Sequence, residues 1–299
     1  MSDITSLDTS ALSTQQMHAY LLAAVAPRPI AFASTIDKDG KVNLSPFSYF
    51  NVFSTTPPVM IFSPARSGRD NSHKHSYLNV KEVPEVVINI VNYPIVEQMS
   101  LSSTAYARGV NEFTKSGLTE VASETIRPPR VAEAPVSFEC TVDQVIELGD
   151  NPGAGNLIIA RVQRIHLQNQ YLKADGSLDT TKLDLVGRMG ESWYTRASGD
   201  ALFEIPKPVK NKGIGVDQLP EAIRNSPVLT GNNIGRLGNV EALPTAEEIA
   251  TARELIEIQQ LLSNDLPSEK LTYMLHAIGK GILEKGDSQK ALAVLMVKV

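Results

Sequence analysis

Apolar residues fall along this chain in two regimes. As far as about Leu202 they form short strand-like runs: Ile30–Ile36, Val42–Phe47, Val59–Phe62, Val86–Val91, Val136–Leu148 and Leu157–His166. Turn formers part them, among them Pro57-Pro58, Pro84 and Asn151-Pro-Gly-Ala-Gly155. Helical spacing here is confined to short pieces: one after a Ser13 cap through Met17, Leu21 and Leu22, closed by Pro27 and Pro29, and others over Ser76–Lys81 and Ile95–Thr104. A doubly wound parallel sheet needs a helix between successive strands. The pattern therefore predicts a mainly β fold, an antiparallel β-barrel with helical additions.

The second regime follows Leu202. Phe203–Val240 is rich in Pro, Gly and Asn and has little periodicity, which predicts an irregular connection. Thr245-Ala-Glu-Glu248 then has the form of a capping box, followed by Ile249, Leu255, Ile256 and Leu262 on one helical side. Ser268 stands as the cap of a second helix through Leu271, Leu275 and Ile278, with Gly279 and Gly281 expected to end it. Asp287 opens a third, through Leu292 to Val297. The expected division is a β-barrel domain over 1–202 and an irregular linker with a helical C-terminal extension over 203–299.

Of the 299 residues, 42% are hydrophobic and 20% charged, enough apolar material for a sizeable core. A net charge of −5 speaks against a general affinity for nucleic acid or an anionic membrane, though not against a small anion held by local donors. No apolar run approaches the ~20 residues that span a bilayer, and Met1–Ser13 lacks the pattern of a signal peptide. Cys140 is the only cysteine, so no intramolecular disulfide forms and a reducing, cytoplasmic setting is expected.

Candidate chemistry gathers in Ala26–Phe50. A strand ending in the adjacent hydroxyls Ser34 and Thr35 meets an Asp39-Gly40 turn, and the return run interleaves Asn43, Ser45 and Ser48 with large apolar residues. Such a hairpin sets small donors and acceptors on an aromatic, half-buried surface, which suits a flat, polar-edged ligand. There is no Gly-x-Gly-x-x-Gly, no Gly-Lys-Ser/Thr phosphate loop and no Gly-x-Ser-x-Gly elbow, so neither a Rossmann site, a nucleotide triphosphatase nor a serine hydrolase of that type is indicated. Cys140 follows Glu139 inside a strand and reads as a buried structural thiol. His73-Lys-His75 lacks the third ligand of a metal site and reads as a solvated loop, and no metal is expected. His18, His166 and His276 are scattered.

Pro27-Arg-Pro-Ile-Ala-x-x-Ser-Thr35, the Asp39-Gly40 turn and Asn43-Leu-Ser-Pro-Phe-Ser48 together resemble the opening of the flavin reductase-like family, built on the FMN-binding split β-barrel. Pro57-Pro-Val-Met-Ile-Phe-Ser63, Lys74-His-Ser-Tyr-Leu-Asn-Val80 and Val86-Val-Ile-Asn-Ile90 are similar to its next blocks. So are Asn111-Glu-Phe-x-x-x-Gly-Leu-Thr119, Ala134-Pro-Val-x-x-Glu-Cys140 and Leu185-Val-x-Arg188 before Tyr194. Order and spacing persist from about residue 18 to 196.

The resemblance implies an FMN-binding oxidoreductase, an NAD(P)H-dependent flavin reductase that can pass reduced flavin to a partner oxygenase. An FMN-binding electron carrier or sensor is the alternative. It places Asn43, Ser45, Phe47 and Ser48 along the flavin ring and ribityl chain, and Ser34, Thr35, Ser63, Lys74 and Ser76 near the ribityl and phosphate end. Arg66 and Arg69 are further phosphate candidates. His75 stands where the family has Asp, and Ser76 where it has Thr. Gly153–Leu157 holds no histidine where many such reductases carry one, which leaves the electron donor open. A homodimer with a flavin site at or beside the interface is also implied. The aromatic run Phe47, Tyr49, Phe50 and Phe53 adds weight, since one subunit's core buries only about half of an alternating set.

Overall fold

A computed structural model describes residues 4–205 and 212–298, in two compact units, Met1–Phe203 and Glu204–Val299. The first begins with α1 (Thr14–Ala24), opened by a capping box. Ser13 Oγ accepts from the Gln16 N–H, and Gln16 Oε1 accepts from the Ser13 N–H. The apolar run after it becomes β1 (Ala31–Ile36). Gly40, at φ +84°, turns the chain back into β2 (Val42–Phe47). Asp37 secures that turn, its Oδ1 accepting from the N–H groups of Asp39 and Lys41.

A second hairpin, β3 (Phe50–Thr55) and β4 (Pro58–Phe62), follows at once. After α2 (His75–Glu82), the strand β5 (Glu85–Ile90) and the long strands β6 (Val136–Glu147) and β7 (Asn156–Leu167) complete the sheet. Its order is β2-β1-β5-β6-β7-β4-β3, and every neighbouring pair is antiparallel. The edge strands β2 and β3 are consecutive in the chain, parted only by Ser48 and Tyr49. Three residue steps reach at most roughly 11 Å, so the sheet must curl until its edges nearly meet. The result is a barrel split along one seam, and the mainly antiparallel expectation holds. Bulges at Glu139/Cys140 and Val142/Gln144 locally bend the long β6–β7 ribbon.

Both faces of β1 are covered, which is why Ile30–Ala33 is apolar without alternation. Phe32 packs with Leu44, Met99 and Phe113 under α3 (Val96–Leu101) and α4 (Glu112–Ser116). Ala31 and Ala33 belong to a second cluster with Phe62, Ile88, Cys140 and Ile158. Cys140 is buried and free, and burial raises its thiol pKa, as a structural thiol requires. The small hairpin β8 (Leu185–Arg188) and β9 (Tyr194–Ala197) is tied to the Pro-Arg-Pro segment by an Arg28–Arg188 bridge.

Neither β3 nor the β8–β9 hairpin was expected, nor was a two-residue pairing of Glu120–Val121 with Arg130–Val131. β3 follows too closely on an aromatic run, and a bulge between Val52 and Ser54 breaks its alternation. The β8–β9 strands are only four residues each, too short for a period.

The second unit corrects the expected irregular connection, of which residues 206–211 lie outside the described residues. Within Phe203–Val240 the chain forms α5 (Glu221–Arg224) and α6 (Gly231–Leu237), and Leu219, Ile223, Leu237 and Val240 are buried with Leu283 and Leu292. Helices of four and seven residues are too short to show a 3.6 period. The capping box at Thr245 opens α7 (Ala246–Arg253), followed by α8 (Ile256–Leu262), α9 (Ser268–Glu284) and α10 (Ser288–Leu295). Ser268 is not a cap but the first residue of α9, with Pro267 before it. Gly279 and Gly281 do not end that helix. At Gly279 a Cβ would stand 2.8 Å from Leu295, so the glycine serves the close approach of α10.

One buried carboxylate ties the loop before β6 to the sheet. Glu139 accepts from the N–H groups of Glu124 and Thr125, the Thr125 hydroxyl and His166 Nε2. Burial pushes its pKa up, but these bonds outweigh it and hold the carboxyl at about 2, against 4.5 for a free side chain. A depressed folded-state pKa gives stability that is present above the unfolded value and lost as pH falls toward the folded one. We expect roughly 3 kcal/mol to disappear between pH 4.5 and about 2. Urea unfolding at pH 6 and pH 3 should show that loss together with those of the other carboxylates held low, and Glu139→Gln should shrink the difference by about 2 kcal/mol.

Candidate functional site

A cleft of about 610 Å³ opens beside β2, within the usual range for small-molecule sites. Its floor comes from the end of β2 and the turn after it, Ser45, Pro46, Phe47, Ser48 and Tyr49. One wall is the loop after β4, from Ser63 to Lys74; α1 contributes His18 and Leu22, and Ser103 and Ala105 close the rim. Phe47 sits against Phe62 with ring centroids 5.6 Å apart, so its position is fixed by the core.

Ser45, Phe47, Ser48, Ser63 and Lys74 of the expected site line this cleft. Ser34, Thr35, Asn43 and Ser76 do not; all four are buried behind it. Asn43 Nδ2 donates to Ser76 Oγ at 2.9 Å, and Asn79 Nδ2 donates to Thr35 Oγ1 at 3.2 Å. These bonds fasten α2 to the β1–β2 hairpin and set where Lys74, just before α2, stands. Ser34 Oγ has no hydrogen-bond partner among the described residues.

The hydroxyls at the cleft surface are primed to donate. Ser48 Oγ accepts from Arg28 Nε at 3.3 Å, and Ser63 Oγ accepts from the Asn156 N–H at 3.0 Å, which leaves the O–H of each for a ligand. Cations surround the loop: Arg66, Arg69 and Lys74, against a single carboxylate, Asp70. Asp70 is occupied within its own turn. Its bonds with Ser67 and then Ser72 bring its pKa down to about 2. α2 starts at the cleft with no side-chain cap and no acidic residue in its first turn. Its free N–H groups add positive potential to that of the side chains. His75 is kept uncharged at neutral pH by burial first, then by Arg108 and Lys74. A hydrogen-donating, cationic end and an aromatic floor fit a planar ring carrying a phosphate tail.

Three features were missed by the sequence reading. Arg28 is buried, and its guanidinium donates to the carbonyls of Leu22, Val25 and Met189 as well as to Ser48. Its flanking prolines were the available signal. Glu112 Oε2 accepts from the Leu44 N–H at 2.9 Å and so fixes the backbone between Asn43 and Ser45; burial raises its pKa. His73 is not part of a solvated loop: it stacks on Tyr77 and meets Arg66.

A model of the flavin reductase like domain matches residues 23–182. The chain belongs to the flavin reductase-like family. An uncharacterized protein of Halalkalibacterium halodurans is 35% identical to this flavin reductase-like chain over 208 residues, 69% of this chain and 99% of its own. Nitrilotriacetate monooxygenase component B of Bacillus cereus superposes with a TM-score of 0.63 at 27% identity, over 69% of this chain and all of its own. A split barrel domain from Shewanella frigidimarina shares the fold, with a TM-score of 0.56 at 24% identity over 66% of this chain and 95% of its own. The first unit is thus a flavin reductase split barrel, followed by C-terminal helices.

Arg28→Met keeps the aliphatic stem but strands the three carbonyls. The carbonyls belong to half-buried residues or, at Val25, an exposed one, so water replaces part of what is lost. At about 0.5–1.5 kcal/mol for each bond, we expect a loss of at least about 1.5 kcal/mol in urea unfolding. Faster amide exchange at the end of α1 should accompany it. A loss below 1 kcal/mol would show that the carbonyls find other partners.

Proposed function

We propose that the split-barrel cleft binds FMN and that the protein is an NAD(P)H-dependent flavin oxidoreductase. The observation that carries this reading is the pairing of a core-fixed aromatic floor at Phe47 with three cations and an uncapped helix start at one end. Ser45 and Ser48 would hold the ring edge and ribityl chain; Ser63, Lys74 and Arg66 would hold the phosphate end. Thr35, Asn43 and Ser76 would act from behind, by fixing β1, β2 and α2, and Ser34 would stand beside them without such a bond. Bound FMN supplies the hydride chemistry, accepting two electrons from a pyridine nucleotide. The residues of the chain bind and orient it, and no acid–base residue is assigned. The Bacillus cereus relative is named as a component of a monooxygenase, and a partner oxygenase is the matching destination for reduced flavin. No helix among the described residues is long and apolar enough to cross a membrane, and a free, buried Cys140 suits the cytoplasm.

A second reading keeps FMN as a carrier or sensor without a nicotinamide site, favoured by the absence of histidine from Gly153–Leu157. The purified protein, recorded in the visible range and mixed with NADH or NADPH under nitrogen, separates the two. Flavin bands that bleach support the reductase; bands that persist support the carrier; a colourless protein that FMN does not reconstitute overturns both. In fluorescence titration the double variant Ser45→Ala, Lys74→Ala should bind FMN at least tenfold more weakly, from about 0.5–1.5 kcal/mol for the hydroxyl and 1.5–3 for the charged contact. Unchanged affinity would remove these residues from the site.

We further propose a homodimer. Phe47 and Phe50 pack into the core, whereas Tyr49, Val52 and Phe53 remain 40%, 57% and 64% exposed at the split edge. Light scattering coupled to size exclusion should give twice 32.5 kDa; a monomer that holds FMN at micromolar concentration ends the claim.

A further inference from the structure

We infer that His73 is a positioning residue that aims the Arg66 guanidinium at the phosphate of the bound flavin. The inference rests on the flavin reading above and deepens it. Arg66 is held at every level. Its backbone N–H donates to Ala154 at 2.8 Å, and its carbonyl accepts from Gly153 at 3.2 Å. Its side chain donates from Nε to Asn71 Oδ1 at 2.8 Å and from Nη1 to His73 Nε2 at 2.6 Å. Two of five guanidinium hydrogens are spent on these bonds, and three are left for the cleft that Arg66 lines. Among the described residues, neither Arg69 nor Lys74 makes a side-chain hydrogen bond or ion pair. Arg66 is therefore the cleft cation whose direction is set before any ligand arrives.

The support is itself supported. Asn71 adopts a left-handed backbone at φ +59°, a conformation asparagine tolerates better than most residues, and its Nδ2 donates to the Asp150 carbonyl at 2.9 Å. The His73 ring lies parallel to Tyr77, with centroids 4.0 Å apart and planes 9° apart. The Tyr77 hydroxyl donates to Glu147 at the end of β6. A guanidinium has no acceptor, so the His73 nitrogen facing it must be bare and the proton must sit on Nδ1. That atom is buried and has no partner among the described residues. A ring held only for packing would gain by turning its N–H to an acceptor or to water. Here the bond to Arg66 sets the tautomer and leaves Nδ1–H unsatisfied. Orienting a cation toward a dianion is a use that accounts for it.

The test compares FMN with riboflavin, which has the same ring and no phosphate, by fluorescence titration. His73→Phe keeps a ring against Tyr77 but offers no acceptor; His73→Gln places an amide oxygen near the Nε2 position. We expect H73F to weaken FMN binding about tenfold and leave riboflavin binding unchanged, and H73Q to restore most of the loss. Arg66→Met should reproduce the H73F defect, and the double variant should be no worse than R66M alone. Should the phenylalanine variant not fold, His73→Asn, too short to reach Arg66, takes its place against H73Q.

An FMN-to-riboflavin ratio that H73F or H73N leaves unchanged overturns the inference while the flavin reading stands. So does wild-type protein that binds the two flavins equally. Wild-type protein that binds neither overturns the flavin reading and this inference with it.

Discussion

The cleft depends on one buried charge without a counter-charge. Arg28 makes no ion pair with a carboxylate among the described residues, and burial lowers its pKa. An isolated charge in such a place costs many kcal/mol unless dipoles surround it. Here the dipoles are the carbonyls of Leu22 and Val25, at the negative end of α1, and that of Met189 beside β8. The guanidinium thus joins α1, the small hairpin and, through Ser48, the cleft floor. Lysine could not do this, because one ammonium cannot reach four acceptors spread around a planar fork.

Around that centre the walls and the donors play different parts. Apart from Ser34 Oγ, the polar groups behind the cleft pair off: Asn43 with Ser76, Asn79 with Thr35, and the Leu44 N–H with Glu112. Each such bond in a low-dielectric setting fixes the backbone on both sides of it. The two hydroxyls at the surface are left with one unused donor each. Ser48 and Ser63 accept from the protein and offer their hydrogens outward. Rigidity behind and free donors in front let a binding site recognise a ligand without first ordering itself.

Much of the barrel was legible from the chain, because strand periodicity and turn residues act locally. Val42–Phe47 was bounded correctly, and the ends of the other expected strands shifted by a residue. What failed were elements whose signal is not local. β3 is an edge strand with a bulge, and α5 and α6 are too short to repeat. Gly279, which looked like a helix end, sits mid-helix because α10 comes close on that side. Helix punctuation in a sequence cannot be told from a helix crossing until the partner helix is placed.

The same division runs through the site. By itself the sequence determined the family motifs, the antiparallel barrel, the Asp39-Gly40 turn and the small polar residues of β2, all matters of spacing and backbone conformation. Only the tertiary structure decided which of those residues reach the cleft. Ser34, Thr35, Asn43 and Ser76 are turned inward, while Ser45, Ser48, Ser63 and Lys74 face the cleft. It also brought Arg28 to Met189 and Ser63 to Asn156, pairs far apart in the chain. A hydrogen bond between distant residues depends on the closure of the whole sheet, and no local pattern encodes it.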